Sequence, residues 1–157
     1  MKKSTQELKN YFKAMPRTQS LAEPSITYGH VLEDKMLVAH AVRRGVTNQL
    51  FEEIKENSPF SDQEWSSFLN INIRTMQRYK SSPHHVFKPI QSERIFELAE
   101  VVTLGDEVFD SRDHFIIWLN SPCLAFGNEK PIDLLDSSYG KDLVMAELQR
   151  IEYGVFI

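Results

Sequence analysis

The chain is poor in the residues that build most active sites. One cysteine, Cys123, stands in 157 residues. A single thiol forms no internal disulfide and no cysteine-cluster metal site, and such sparing use fits a reducing cytoplasm. Glycine is scarce, with six in all, and no glycine-rich phosphate loop appears. There is no His-x-x-x-His pair, no carboxylate series at metal-ligand spacing and no nucleophile elbow. Without that machinery neither catalysis nor a bound cofactor is expected. The adjacent pair His84–His85 has no further ligand at a useful spacing, so no metal is expected there either. No apolar run approaches the roughly 18–20 residues of a membrane span. The opening MKKSTQELKNYF lacks the apolar centre of a secretory leader.

What the sequence does have is an ordinary globular composition, 41% hydrophobic and 25% charged, with its charge unevenly placed. Residues 40–90 carry seven Lys/Arg against five Asp/Glu, and residues 91–157 carry five against thirteen. Residues 1–39 carry six against four. A segment with a net charge of −8 is repelled by phosphate, so contact with nucleic acid falls to the first ninety residues. The acidic half suits solvent or a protein partner.

The most informative stretch is DQEWSSFLNINIRTMQRYKS, residues 62–81. Trp65 and Leu69 recur at i, i+4, and Met76 and Tyr79 at i, i+3, with Ile71 between the two pairs. This spacing predicts a helix-turn-helix with Ile71 plugging the angle. Asn70 stands where such turns usually carry Gly, and Asn tolerates the left-handed conformation. Ser66 stands where a small Ala is more usual. Asn72 is placed to cap the second helix. Arg74, Thr75, Gln77, Arg78 and Lys80 are left facing outward, the long cationic and amide side chains that meet base edges and phosphates. Two amphipathic helices around a short turn also occur in many all-α proteins that never touch DNA.

The flanking chain reads as helices. Residues 1–15 carry Leu8, Tyr11, Phe12 and Met15 on one face, and 16–30 read as a loop or arm. Residues 31–42 suit a helix or a strand equally. Thr47 opens a helix with Val46, Leu50, Phe51 and Ile54 inward, and Ser61 with Glu64 forms a capping-box signature for the next. Ser92 is expected to cap a long helix through Ile95, Leu98, Ala99, Val102, Val108 and Phe109. Further helices follow from Asp113 to Leu119 and from Pro131, with Gly140 ending that unit. The last helix starts at Lys141 with Leu143, Val144, Leu148 and Ile151 inward. The apolar tail Val155–Phe156–Ile157 is expected to fold back on the core or enter a groove on another chain. The fold class is all-α: a weakly specified segment over 1–40, a helix-turn-helix domain over 41–88 and a small helical domain over 89–157.

Taken in order, the pieces RTMQR, SER, WLNSP with the following G-x-x-x-P-I-D-L-L, and L-x-R-I-E-Y-G resemble the Xre/MbcA/ParS-type antitoxins. They are most similar to the Xre antitoxins paired with RES-domain toxins. The resemblance covers residues 40–157 and is most specific from Trp118 to Leu135. It implies a mostly helical homodimer without enzymatic activity or cofactor. One part of such a protein binds operator DNA and represses its own operon. The other binds the cognate RES-domain toxin, an NAD-consuming enzyme, and blocks its active site. Operator contacts would come from Arg74, Thr75, Gln77 and Arg78, with Lys80 on phosphate. Toxin contacts would come from Arg150, Glu152, Tyr153, Gly154 and Phe156, while Trp118, Leu124, Pro131, Leu134 and Leu135 belong to the core. The competing readings are a toxin inhibitor with a degenerate helix-turn-helix and a stand-alone regulator without a toxin.

Overall fold

The computed structural model describes Leu32 and residues 34–154, and among these there is no β-strand, only two isolated bridges. The helices are α1 (Lys35–Arg44), α2 (Asn48–Glu56), α3 (Asp62–Leu69), α4 (Ile73–Tyr79), α5 (Pro89–Val108), α6 (Arg112–Leu119) and α7 (Ser138–Glu152). Short 3₁₀ turns at Leu124–Phe126 and Pro131–Asp136 lie between α6 and α7. The helix expected near the start and the apolar tail, Phe156 included, lie outside the described residues.

The helix boundaries follow local chemistry. Asp34 accepts from the backbone N–H groups of Met36 and Leu37, which decides the ambiguous stretch in favour of helix α1. Thr47 caps α2 through Leu50 N, and Ser61 and Glu64 form the expected capping box at α3. The long helix starts earlier than expected. Pro89 occupies its first position, where the missing N–H costs nothing, and Lys88 precedes it as N-cap. Ser92 is therefore not a cap. Its side chain is fully buried, accepts from Val46 N at 2.8 Å and donates to the Phe87 carbonyl at 3.3 Å.

That hydroxyl belongs to a buckle that closes the first domain. Phe87 N donates to Val46 O at 2.8 Å, and Asn48 N to His85 O at 2.7 Å. The chain entering α2 is thus stitched to the chain leaving α4. Gly45, at φ +85°, passes so close that a Cβ there would lie 2.5 Å from the Phe87 carbonyl. Under the buckle lies an aromatic core. Phe51 meets Trp65 edge to face at 5.3 Å and Phe87 at 5.0 Å, while Phe60 meets Trp65 at 5.8 Å and Phe68 at 5.2 Å. The Trp65 indole N–H donates to Ser58 Oγ at 2.9 Å, so its one polar atom is satisfied.

α5 serves both halves of the protein. α1 packs along it, and so does α7. The Glu100 carboxylate accepts from Lys35 of α1 at 2.9 Å and from Lys141 of α7 at 2.8 Å. At its C-terminal end the Phe115 ring covers buried Gly105 so closely that any Cβ there would overlap it. Phe109 and Trp118 complete this second aromatic group.

Three expectations for the second half are corrected. Gly140 does not end a unit; it lies within α7, which is capped by Ser137, and presses on the Leu134 carbonyl with no room for a Cβ. Leu143 faces outward, 54% exposed, while Val144 and Leu148 on the other face of the helix are buried. Leu124 is not core. The Cys123–Glu129 bridge closes the turn on itself and leaves Leu124 87% exposed at its tip, whereas Pro131 and Leu135 are buried and Trp118 and Leu134 half-buried.

Ser92→Ala tests the buckle. It removes the acceptor of a buried Val46 N–H, and an orphaned buried donor costs about 1–3 kcal/mol. Denaturant unfolding should show that loss with an unchanged m-value.

Candidate nucleic-acid and partner interfaces

The turn between α3 and α4 closes as a Schellman motif. Asn70 takes the left-handed position at φ 51°, ψ 47°, and its N–H donates to Ser67 O at 3.1 Å while Ile71 N donates to Ser66 O at 3.0 Å. Both departures from the usual turn residues have a physical role here. Asn70 supplies the positive φ, and the Ser66 hydroxyl donates to the Ile71 carbonyl at 2.6 Å. Asn72 then caps α4, accepting from Arg74 N at 2.8 Å. Trp65, Leu69 and Met76 are buried, and Ile71 and Tyr79 are half-buried against the same core.

This packing leaves Arg74, Gln77, Arg78 and Lys80 exposed and Thr75 half-buried. Arg74 and Arg78 have no carboxylate partner among the described residues. Lys80 lies 3.4 Å from the Asp62 carboxylate, whose other oxygen meets Lys55 at 2.9 Å. Lys55 also pairs with Glu52 at 3.1 Å and has only 9% of its side chain exposed. Burial pulls the Lys55 ammonium down, but the hydrogen bonds to Asp62 and Glu52 outweigh it and hold the group above the ordinary lysine range. The Lys55 hydrogen bond in turn holds the Asp62 carboxyl below the usual range.

Two residues that position α4 were not expected from the sequence. Asn48 is buried, and its amide donates to the Tyr79 carbonyl at 2.8 Å, tying off the last turn of α4. His85 stacks on the Tyr79 ring at 3.6 Å and meets Phe87 edge-on at 5.0 Å. The pair His84–His85 thus divides its roles: His85 is a packing ring and His84 is exposed. Among the described residues no group of three or more His, Cys, Asp or Glu is placed to hold a metal ion. No helix among them is long and apolar enough to cross a membrane.

On the second half, α7 has an outward stripe. Tyr139, Leu143, Ala146, Arg150 and Tyr153 recur at alternating steps of four and three, which is one face of a helix. Tyr139 is 88% and Tyr153 77% exposed. Glu152 and Gly154 are also exposed. Arg150 is half-buried and held by Glu147 one turn back. Tyr139 and Leu143 are additions to the expected set. Their signal in the sequence is a second apolar series on a helix whose first series, Val144 and Leu148, already suffices for burial.

These features define a two-part all-α protein, a helix-turn-helix unit sharing one long helix with a second helical unit. Residues 38–100 match the Antitoxin Xre-like helix-turn-helix domain, and residues 104–154 match the Antitoxin Xre/MbcA/ParS C-terminal toxin-binding domain. The chain belongs to the Xre/MbcA/ParS antitoxin family. It is similar to the Prs ADP-ribosylating antitoxin of Sphingobium sp. (strain YBL2), 33% identical over 97 residues, with 56% of this chain and 60% of the relative covered. The chain thus spans less than two thirds of that relative's length. Its fold is similar to a chain of the crystal structure of the M. tuberculosis MbcT–MbcA toxin-antitoxin complex. The TM-score is 0.53 at 22% identity, with 70% of this chain and 96% of that chain covered.

The His85 stack generates a pH dependence. Burial, and then the Arg78 guanidinium, hold the imidazole below its ordinary value of 6.5. As pH falls the unfolded chain takes up a proton that the folded site resists. The contribution is therefore intact above pH 6.5 and is lost progressively below it. Chemical denaturation between pH 8 and pH 5 should show stability declining on the acid side. His85→Phe, which keeps the ring on Tyr79, should flatten that decline.

Proposed function

We propose that the chain is the antitoxin of a type II toxin–antitoxin system, with operator binding in residues 41–88 and toxin binding in residues 89–157. The observation that carries this reading is the match of residues 104–154 to a toxin-binding domain, seated on the same helix α5 that backs the helix-turn-helix. Arg74, Gln77 and Arg78 read base edges from the exposed face of α4, with Thr75 at the phosphates and Lys80 beside them. A dimer places two such helices about one helical turn of DNA apart, roughly 34–36 Å, so the operator has two half-sites. Binding there represses the operon that encodes the pair.

The toxin docks on the outer stripe and end of α7. Tyr139, Leu143 and Tyr153 supply apolar area. Arg150, Glu152, Gly154 and Phe156 complete the contact and enter the toxin's active site. The partner is a RES-domain enzyme that consumes NAD. The name of the Sphingobium relative supports that class, since ADP-ribosyl groups are transferred from NAD. The acidic balance of residues 91–157 suits a protein partner and keeps this half away from phosphate.

Two measurements test the two halves separately. In a mobility-shift assay with the duplex upstream of its own gene, Arg74→Ala with Arg78→Ala should lose about 1–3 kcal/mol per arginine. Unchanged binding by the double variant would remove α4 as the reading helix. A chain ending at Gln149 keeps Val144 and Leu148 on α5 and should fold, yet it should fail to rescue growth of cells expressing the toxin. Full rescue by the truncated chain would refute the contact at the end of α7.

A further inference from the structure

The three cations on and after α4 are not equivalent. Arg74 and Arg78 are exposed without a carboxylate partner among the described residues. Lys80 is the last link of an alternating chain, Glu52–Lys55–Asp62–Lys80, with contacts of 3.1, 2.9 and 3.4 Å. This chain joins α2, the first turn of α3 and the residue that ends α4. It carries two positive and two negative charges. Lys55 is anchored in it, held by two acids and lying over the Phe51 ring at 6.0 Å. Asp62 and Lys80 form its outer, solvent-exposed end, with 38% and 47% of their side chains accessible.

Resting on the reading that α4 binds duplex DNA, we propose that Asp62 is a counter-charge that withholds Lys80 from the phosphate backbone and so weakens operator binding. Two physical effects act together. The ammonium must give up a carboxylate before it meets a phosphate. The carboxylate, once released, lies beside the incoming phosphate and repels it. An exposed ion pair is weak, so the restraint is graded rather than absolute. Asp62 thus acts through Lys80 as a positioning residue that sets affinity and salt sensitivity and leaves base readout to Arg74, Gln77 and Arg78. Lys55 with Glu52 keeps the carboxylate in place from behind.

The test is a salt titration of binding to the duplex upstream of the chain's own gene and to an unrelated duplex of equal length. Asp62→Asn should raise affinity for both, by roughly three- to tenfold at 0.1 M salt. It should steepen the plot of log affinity against log salt by about 0.9, the increment of one added phosphate contact. In the Lys80→Gln background the gain should vanish. Glu56→Gln, which removes an exposed acid from α2, controls for net charge and should leave the slope unchanged. A gain that persists without Lys80, a gain matched by Glu56→Gln, or no gain at all would overturn the proposal. If Asp62→Asn fails to fold, Lys80→Gln alone decides. Its affinity should fall less than about twofold, and a loss as large as that of Arg74→Ala would overturn the proposal. A wild-type chain that retards neither duplex would overturn the DNA-binding reading itself. That outcome is distinct from wild-type binding with an inert Asp62.

Discussion

Everything in the first half depends on a short antiparallel contact between two pieces of irregular backbone. Val46 and Asn48, entering α2, pair with Phe87 and His85, leaving the loop after α4. The contact is sealed from behind by the Ser92 hydroxyl and from the front by the close passage of Gly45. It adds to the hold on α4 from the Asn70 turn, buried Met76 and the core-packed Ile73 and Tyr79. With it, both ends of α4 are held. Asn72 satisfies the first turn and Asn48 reaches the Tyr79 carbonyl at the last. A helix of seven residues makes few hydrogen bonds of its own and gains its stability from packing and caps.

Helix α5 performs the corresponding task for the whole molecule. The two family matches meet inside its 20 residues, so the two halves share a continuous hydrogen-bonded rod rather than a linker. Glu100 binds a lysine from each side, and Arg94 spans from Glu97 to the Leu135 carbonyl. A partner that docks on α7 therefore sits on the same rod that supports the helix-turn-helix. The charge asymmetry runs along the sequence, with a net +2 over residues 40–90 and a net −8 over residues 91–157.

The family resemblance and the all-helical class were legible in the sequence, and so were most caps. Thr47, Ser61 with Glu64, Asn70 and Asn72 each act within three residues of their own position, so spacing alone identifies them. Ser92 was misassigned for the same reason. A serine before an apolar series reads as a cap, but a buried hydroxyl 46 residues from its donor carries no local signal. Leu143 and Leu124 were misassigned because hydrophobicity does not say which of two apolar faces is covered. Gly140 reads as a stop when its neighbour across the fold, the Leu134 carbonyl, is unknown.

The sequence by itself determined the helix periods, the turn chemistry and the place of the cationic face, because these depend on side chains a few residues apart. Only the tertiary structure decided which cations are paired, which face of α7 is bare and what Asn48, His85 and Ser92 touch. Those facts depend on contacts between residues far apart in the chain, and no local pattern encodes which distant partner a buried polar group will meet.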